Sequence, residues 1–229
     1  MLYNLILSTS QATVVSECPP NPYRADSYQS EADLEREFIA QLERQGYEYI
    51  QFHNETALVN NLRVQLEALN HISFTDAEWQ RFFGEKIANA WEGITEKTRK
   101  IQDDYVQILK RDDGTDQNIY LLDKRAIHNN RLQVLNQYEA PTGRHPSRYD
   151  VTILVNGFPM VHVKLKRRDV ALREAFNQIN RYGRENFWSG SGLFEYVQIF
   201  VISNGTHTKY YSNTTRKRHL DDQKPGSIP

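Results

Sequence analysis

Three residues of this chain, Asp150, Lys164 and Lys166, have the types and spacing that phosphodiester chemistry uses. Hydrolysis of a phosphodiester needs an attacking water, neutralisation of charge at phosphorus and stabilisation of the leaving oxygen. A divalent ion held by carboxylates can serve all three. Mg²⁺ prefers oxygen ligands and keeps several waters, so a few protein carboxylates suffice. A neighbouring lysine orients the water or steadies the negative transition state. Asp150 offers one carboxylate. A second acid two residues before a lysine would complete the unit, because positions i and i+2 of a strand point to the same side. In Val161-His162-Val163-Lys164-Leu165-Lys166 the lysine is present at 166, but position 164 carries another lysine. Farther on, Gln178 and Tyr182 are four apart and share one helix face. Both can hydrogen-bond phosphates or catalytic groups, and Arg181 beside them is a further candidate for positioning DNA.

These residues need a hairpin and a helix to bring them together. Tyr149–Val155 and Met160–Lys166 alternate as strands around Asn156-Gly157, a pair suited to a tight type I′ turn. A helix is predicted over about 170–182, ended by Gly183. Residues 184–193 form a loop, a candidate signalling element. Val197–Ser203 is apolar enough to predict a strand buried on both faces, and a further strand follows at about 207–212. The order from 149 onward is therefore β-β-α-β. Upstream, residues 9–29 hold three prolines and many polar residues, which predicts an irregular lead-in. Ser30 opens a helix with acids in its first turn, and Gly46 ends it. A short strand is predicted at 47–52 and helices at 58–70 and 76–90, the latter capped by Asp76. From Ile101 strands are predicted at 102–109, 117–123 and 132–138. The fold class is α/β: a central mixed sheet flanked by helices, with an N-terminal helical addition. One domain is expected over 1–229, with a helical part at about 30–95, a sheet core at about 100–212 and a polar tail at 213–229.

The chain has 229 residues, 39% of them hydrophobic, enough to fold around a sizeable core. The net charge is −1, but it is unevenly spread. Residues 1–140 hold 14 Lys/Arg against 22 Asp/Glu, and residues 141–229 hold 14 against 7. The basic half carries the candidate site, as suits a polyanion partner; a solvated surface with uneven charge fits the same numbers. Cys18 is the single cysteine, so neither an internal disulfide nor a cysteine-rich zinc site can form. That suits a cytoplasmic protein. Met1–Leu7 is short, with no basic flank, and reads as neither signal peptide nor anchor. No apolar run approaches the roughly 20 residues of a membrane span.

With Asp150, the lysines and the Gln178/Tyr182 pair in place, the chain resembles the N-terminal endonuclease domain of the R (restriction and translocation) subunit of type I restriction–modification enzymes, especially the IC group, within the PD-(D/E)xK nucleases. The resemblance is carried by Asp33-Leu34-Glu35-Arg36-Glu37 and Lys97-Thr98-Arg99-Lys100-Ile101. It continues through Arg148-Tyr149-Asp150 to Asn156-Gly157, and is closest at Arg173-Glu174-Ala175-Phe176-Asn177-Gln178-Ile179 and Phe200-Val201-Ile202-Ser203-Asn204-Gly205-Thr206. It places the family's metal-binding aspartate on Asp150, its catalytic lysine on Lys166 and its Q-x-x-x-Y motif on Gln178 and Tyr182. It implies a restriction-endonuclease-like core and Mg²⁺-dependent cleavage of duplex DNA after ATP-driven translocation. The implied partners are double-stranded DNA, the subunit's own motor domains, and methyltransferase and specificity subunits, with no membrane. No G-x-x-x-x-G-K-[S/T] phosphate loop occurs, so ATP would act only through motor domains absent from this sequence.

The departure is at 164, where the family has glutamate. A lysine there removes a ligand and sets a cation near the metal, a repulsion on the order of 8 kcal/mol at about 4 Å and an effective dielectric near 20, before relaxation. The expectation is a catalytically impaired or inactive copy. Two other functions stay open: a non-cutting DNA-binding or docking module, and a stand-alone recombination or repair nuclease of the same superfamily.

Each candidate also has a plain structural reading. Asp150 suits an ordinary strand end, and Lys166-Arg167-Arg168 a solvated basic patch. Gln178 can cover a helix surface and Tyr182 can belong to the core. Glu31 and Glu35 are candidates for the additional helix acid of related nucleases, with compensation of the helix dipole the preferred alternative. His162 shares strand parity with Lys164 but reads as structural. Arg216-Lys217-Arg218 reads as tail.

Overall fold

The computed structural model describes residues 4–8, 14–17, 30–52, 54–139, 148–167 and 191–213. The helix expected at about 170–182, with Gln178, Arg181 and Tyr182, lies outside the described residues, as do most of loop 184–193, Cys18 and the tail beyond Asn213.

Helix α1 (Glu31–Arg44) starts as its sequence dictates. The Ser30 side chain accepts the Asp33 N–H at 3.1 Å, satisfying one of the orphan amides of the first turn. Leu34, Ile39 and Leu42 form its buried stripe, seated on Val134, Val151, Val163 and Leu165 of the sheet. Helix α2 (Glu55–Asn70) is capped by Asn54 and aligns Leu58, Leu62 and Leu66 at four-residue spacing, each essentially without exposure. Burying each such leucine contributes roughly 1.5–3 kcal/mol. Helix α3 (Asp76–Phe82) is capped by Thr75, not by Asp76: Thr75 and Glu78 form a reciprocal capping box. The helix predicted to run to 90 gives way to a π turn at Phe83–Ile87. Helix α4 (Ile94–Gln102) follows in a stretch mostly without an expected element, and the strand expected at 102–109 starts only at Val106.

The main sheet has strand order β1-β2-β10-β9-β8-β7-β6-β3. Its members are β1 (Asn4–Ser8), β2 (Val14–Glu17), β3 (Glu48–Ile50), β6 (Leu132–Glu139), β7 (Arg148–Val155), β8 (Phe158–Leu165), β9 (Ile199–Ser203) and β10 (Thr208–Ser212). Pairs β3–β6 and β8–β9 are parallel and the rest antiparallel, so the sheet is mixed as expected. Strand β2 falls in the stretch expected to be irregular; it joins the sheet through a single long-range pairing, Glu17 with Lys209. Among the described residues strands β4 (Val106–Lys110) and β5 (Asp116–Tyr120) pair only with each other. Their Leu109 and Ile119 join α2 and α3 in one core with Leu135, Leu154, Phe158 and Phe200 of the main sheet. The helical part therefore shares the sheet's core. Strand β9 is not buried throughout: Phe200 and Ile202 are buried, whereas Ile199 is exposed.

The central hairpin forms as predicted. Asn156 and Gly157 have φ of 49° and 83°, the two positive values a type I′ turn requires. A Cβ on Gly157 would lie 2.6 Å from the Leu62 Cα, so the turn is also pressed against α2. Among the described residues no helix is long and apolar enough to cross a membrane.

Candidate active site

Asp150 stands where β7 loses its partners on both sides. The β7–β8 ladder runs up to Val151–Val163 and ends. On the other edge Asn136 pairs with Val151 and Tyr138 with Tyr149, but the Gln137–Asp150 pair between them is skipped. The Asp150 carboxylate bonds across this opening. Its Oδ2 accepts the Leu165 N–H at 3.0 Å and its Oδ1 accepts from Lys164 Nζ at 2.7 Å. The Lys164 side chain is 5% exposed and that of Asp150 15%. Two charges this far out of water are tolerable because they pair and are further hydrogen-bonded.

Lys166 lies one residue past β8 and extends the β8–β9 ladder by donating its N–H to the Ser203 carbonyl at 2.8 Å. Its ammonium lies 3.5 Å from Glu31 Oε1 on α1. The two lysines expected in one pocket thus each have an acid of their own, Asp150 for Lys164 and Glu31 for Lys166.

Glu35, one turn along α1 from Glu31, is buried, which a dipole-compensating surface acid would not be. Its two oxygens accept from the side-chain amides of consecutive β6 residues, Asn136 and Gln137, the latter at 2.6 Å. Consecutive residues of a regular strand point to opposite faces. They converge here because Gln137 has φ of 56°, a left-handed conformation that costs a non-glycine residue about 1–3 kcal/mol and persists only where its surroundings enforce it. The Tyr49 hydroxyl donates to Asn136 Oδ1 at 2.8 Å, steadying the same group from β3. Asn136 and Gln137 were not singled out from the sequence. Their one trace there is a polar pair directly after the apolar Val134-Leu135.

His162 is fully buried, edge-on to Phe200 with ring centroids 6.3 Å apart, in keeping with a structural role. Burial, with the Glu55 charge added, pushes the Tyr138 hydroxyl above its ordinary range, so it serves as a neutral phenol and not as a base.

As they stand, these donors do not fit a divalent metal. One oxygen of Asp150 holds an ammonium and the other a backbone amide. Among the described residues no three His, Cys, Asp or Glu side chains converge as a metal group. What the arrangement provides chemically is a carboxylate neutralised by a tethered cation.

Comparison with known proteins places the chain in a family. The family model "Type I restriction enzyme R protein N terminus" matches residues 28–219. The EcoprrI type I restriction enzyme endonuclease subunit of Escherichia coli is 50% identical over 213 residues, covering 93% of this chain and 68% of that protein. The SsaAORF53P type I restriction enzyme endonuclease subunit of Staphylococcus saprophyticus is 42% identical over 191 residues, and the SauMSSORF170P endonuclease subunit of Staphylococcus aureus is 40% identical over 192. The chain spans 20% of the length of each staphylococcal relative. With the match across both α1 and the Asp150 hairpin, the chain belongs to the family of type I restriction enzyme R protein N-terminal domains.

Proposed function

We propose that this chain is the nuclease part of an ATP-dependent type I restriction enzyme, with its cleavage site blocked by Lys164. Family membership and the relatives, named as endonuclease subunits, support the enzyme class. In this reading Asp150 and a carboxylate at position 164 would hold Mg²⁺, and Lys166 would steady the phosphate. Gln178, Arg181 and Tyr182 would place duplex DNA. Motor domains of the same subunit would use ATP, and methyltransferase and specificity subunits would complete a cytoplasmic complex. Glu31 and Glu35 border the site from α1.

The observation that carries the block is the 2.7 Å contact between Lys164 Nζ and Asp150 Oδ1. An ammonium neutralises the aspartate as a metal would, but it ionises no water and binds no phosphate oxygen as a ligand. No hydrolytic step is assigned to the residues as they stand. The same contact favours a second reading, a non-cutting DNA-binding or docking module.

The test is an R subunit carrying this sequence ahead of its motor, assembled with its partner subunits and given ATP and unmodified circular DNA. It should consume ATP without cutting, and Lys164→Glu should restore double-strand breaks at unchanged ATP use. Full cleavage without the substitution would overturn the block. Continued failure to cut after Lys164→Glu, with ATP use intact, would favour the docking module.

A further inference from the structure

We infer that Glu35 is a positioning residue for Asp150, acting through the backbone of Gln137; as a role in the same site, this rests on the nuclease reading above. Three observations converge. Glu35 is a buried carboxylate whose two oxygens are taken by the side-chain amides of Asn136 and Gln137. Gln137 has a left-handed φ of 56° within an extended strand. The register on either side, Asn136 with Val151 and Tyr138 with Tyr149, sets Gln137 directly opposite Asp150, and ladder pairing lapses there alone between β6 and β7.

The physical link is local. A buried carboxylate is costly unless both oxygens are hydrogen-bonded. Glu35 meets that need by drawing in two consecutive side chains, and the left-handed Gln137 breaks the alternation that would otherwise send them to opposite faces. The resulting kink takes the Gln137 backbone out of the ladder. Asp150, released from pairing with β6, is free to turn its carboxylate to the Leu165 N–H and to position 164. Were Gln137 extended, the ladder would close across Asp150 and hold it in the flat sheet. Glu35 thus works without touching metal or substrate, as the cause of the opening in which Asp150 sits.

The test uses glycine, which adopts positive φ without strain. In the 229-residue chain, Glu35→Gln should loosen the Leu165 amide, the proton held by Asp150. Its exchange should rise about tenfold, the loss of one charge-assisted hydrogen bond, while the Lys166 amide on Ser203 keeps its rate. Adding Gln137→Gly should restore Leu165 protection, although glycine in a strand ordinarily weakens it. A second pair leaves Glu35 intact, should its replacement impair folding: Gln137→Ala should loosen Leu165, and Gln137→Gly should not. Unchanged Leu165 exchange in Glu35→Gln, or failure of glycine to restore it, overturns the inference. So does equal behaviour of Gln137→Ala and Gln137→Gly. With Lys164→Glu added, Mg²⁺ affinity should follow the same order of variants. If that background binds no Mg²⁺ at all, the nuclease reading falls, while the exchange data still decide whether Glu35 holds the kink.

Discussion

Among the described residues three buried lysines, Lys97, Lys100 and Lys164, are paired with carboxylates, and by burial two of the pairs are nearly the same. Lys97 and Glu195 have side chains 2% and 13% exposed, and Lys164 and Asp150 have side chains 5% and 15% exposed. Their surroundings separate them. Lys97 also donates to the Gly192 carbonyl and lies 5.6 Å above the Tyr196 ring, so α4 is tied to the turn at Leu193–Tyr196. Lys164 binds an acid whose strand has dropped its pairing on both edges, opposite a strained Gln137. One pair closes the structure; the other stands where the structure has been held open. A buried ion pair is therefore a weak marker of a functional site, and an interrupted ladder beside one is a stronger marker.

The largest effect should come from the closing pair. Lys97→Met leaves the half-buried Glu195 without its cation and should cost about 3–5 kcal/mol, read from urea unfolding and independent of added Mg²⁺. Lys164→Glu should cost a comparable amount in EDTA, because two carboxylates then face each other. Here the two pairs should part company. Mg²⁺ at a hundred times its dissociation constant should return about 2.7 kcal/mol to Lys164→Glu and nothing to Lys97→Met. If Mg²⁺ leaves the unfolding midpoint of Lys164→Glu where EDTA put it, the contrast between the pairs is lost and position 164 is as structural as 97.

The same contrast governs what could be read before the structure. The Asn156-Gly157 hairpin was legible because its turn needs two positive φ values in a row, and few dipeptides accept them. With that turn in place, the facing of Asp150 and Lys164 followed. What did not follow was the partner: Lys164 was read as a cation beside the metal, and in the structure it bonds the Asp150 carboxylate directly. Helix α4 was missed because its buried face is built from Lys97, Lys100 and Ile101, and lysine stems hide an apolar stripe inside a run that reads as surface. Strand β2 was missed because it is held by its neighbours, β1 along its length and Lys209 of β10 at Glu17, and strand formation depends on such neighbours more than on local preference. The kink at Gln137 was illegible for the same reason. Nothing in Asn136-Gln137 forces a positive φ; a carboxylate about a hundred residues earlier does.

Two smaller effects sharpen the comparison. Gly192 has φ of 68°, and a Cβ there would lie 2.7 Å from Lys97 Nζ. That atom ends a flexible chain and can shift, so the backbone strain dominates. Gly192→Ala should cost roughly 1–2 kcal/mol in urea unfolding, well short of Lys97→Met. The smallest effect belongs to a carboxylate at a surface turn. Asp123 accepts from the Ala126 and Arg125 amides and from Asn129, closing the turn at Ile127–Asn129. The backbone bond from Ala126, then the Asn129 amide, hold its pKa below the usual carboxylate value. A group with a lowered native pKa adds stability that is fully present above its unfolded value, near 3.9, and is lost as the pH falls through the native value. Asp123→Asn should therefore lower the midpoint slightly at pH 6 and make no difference at the acid extreme, where the native Asp123 is itself protonated. Scanning urea midpoints from pH 6 down to pH 2 should show the two curves converging. A gap of constant width would mean that Asp123 acts by shape and not by charge, and that charge matters in this molecule only where burial or an opened ladder makes it matter.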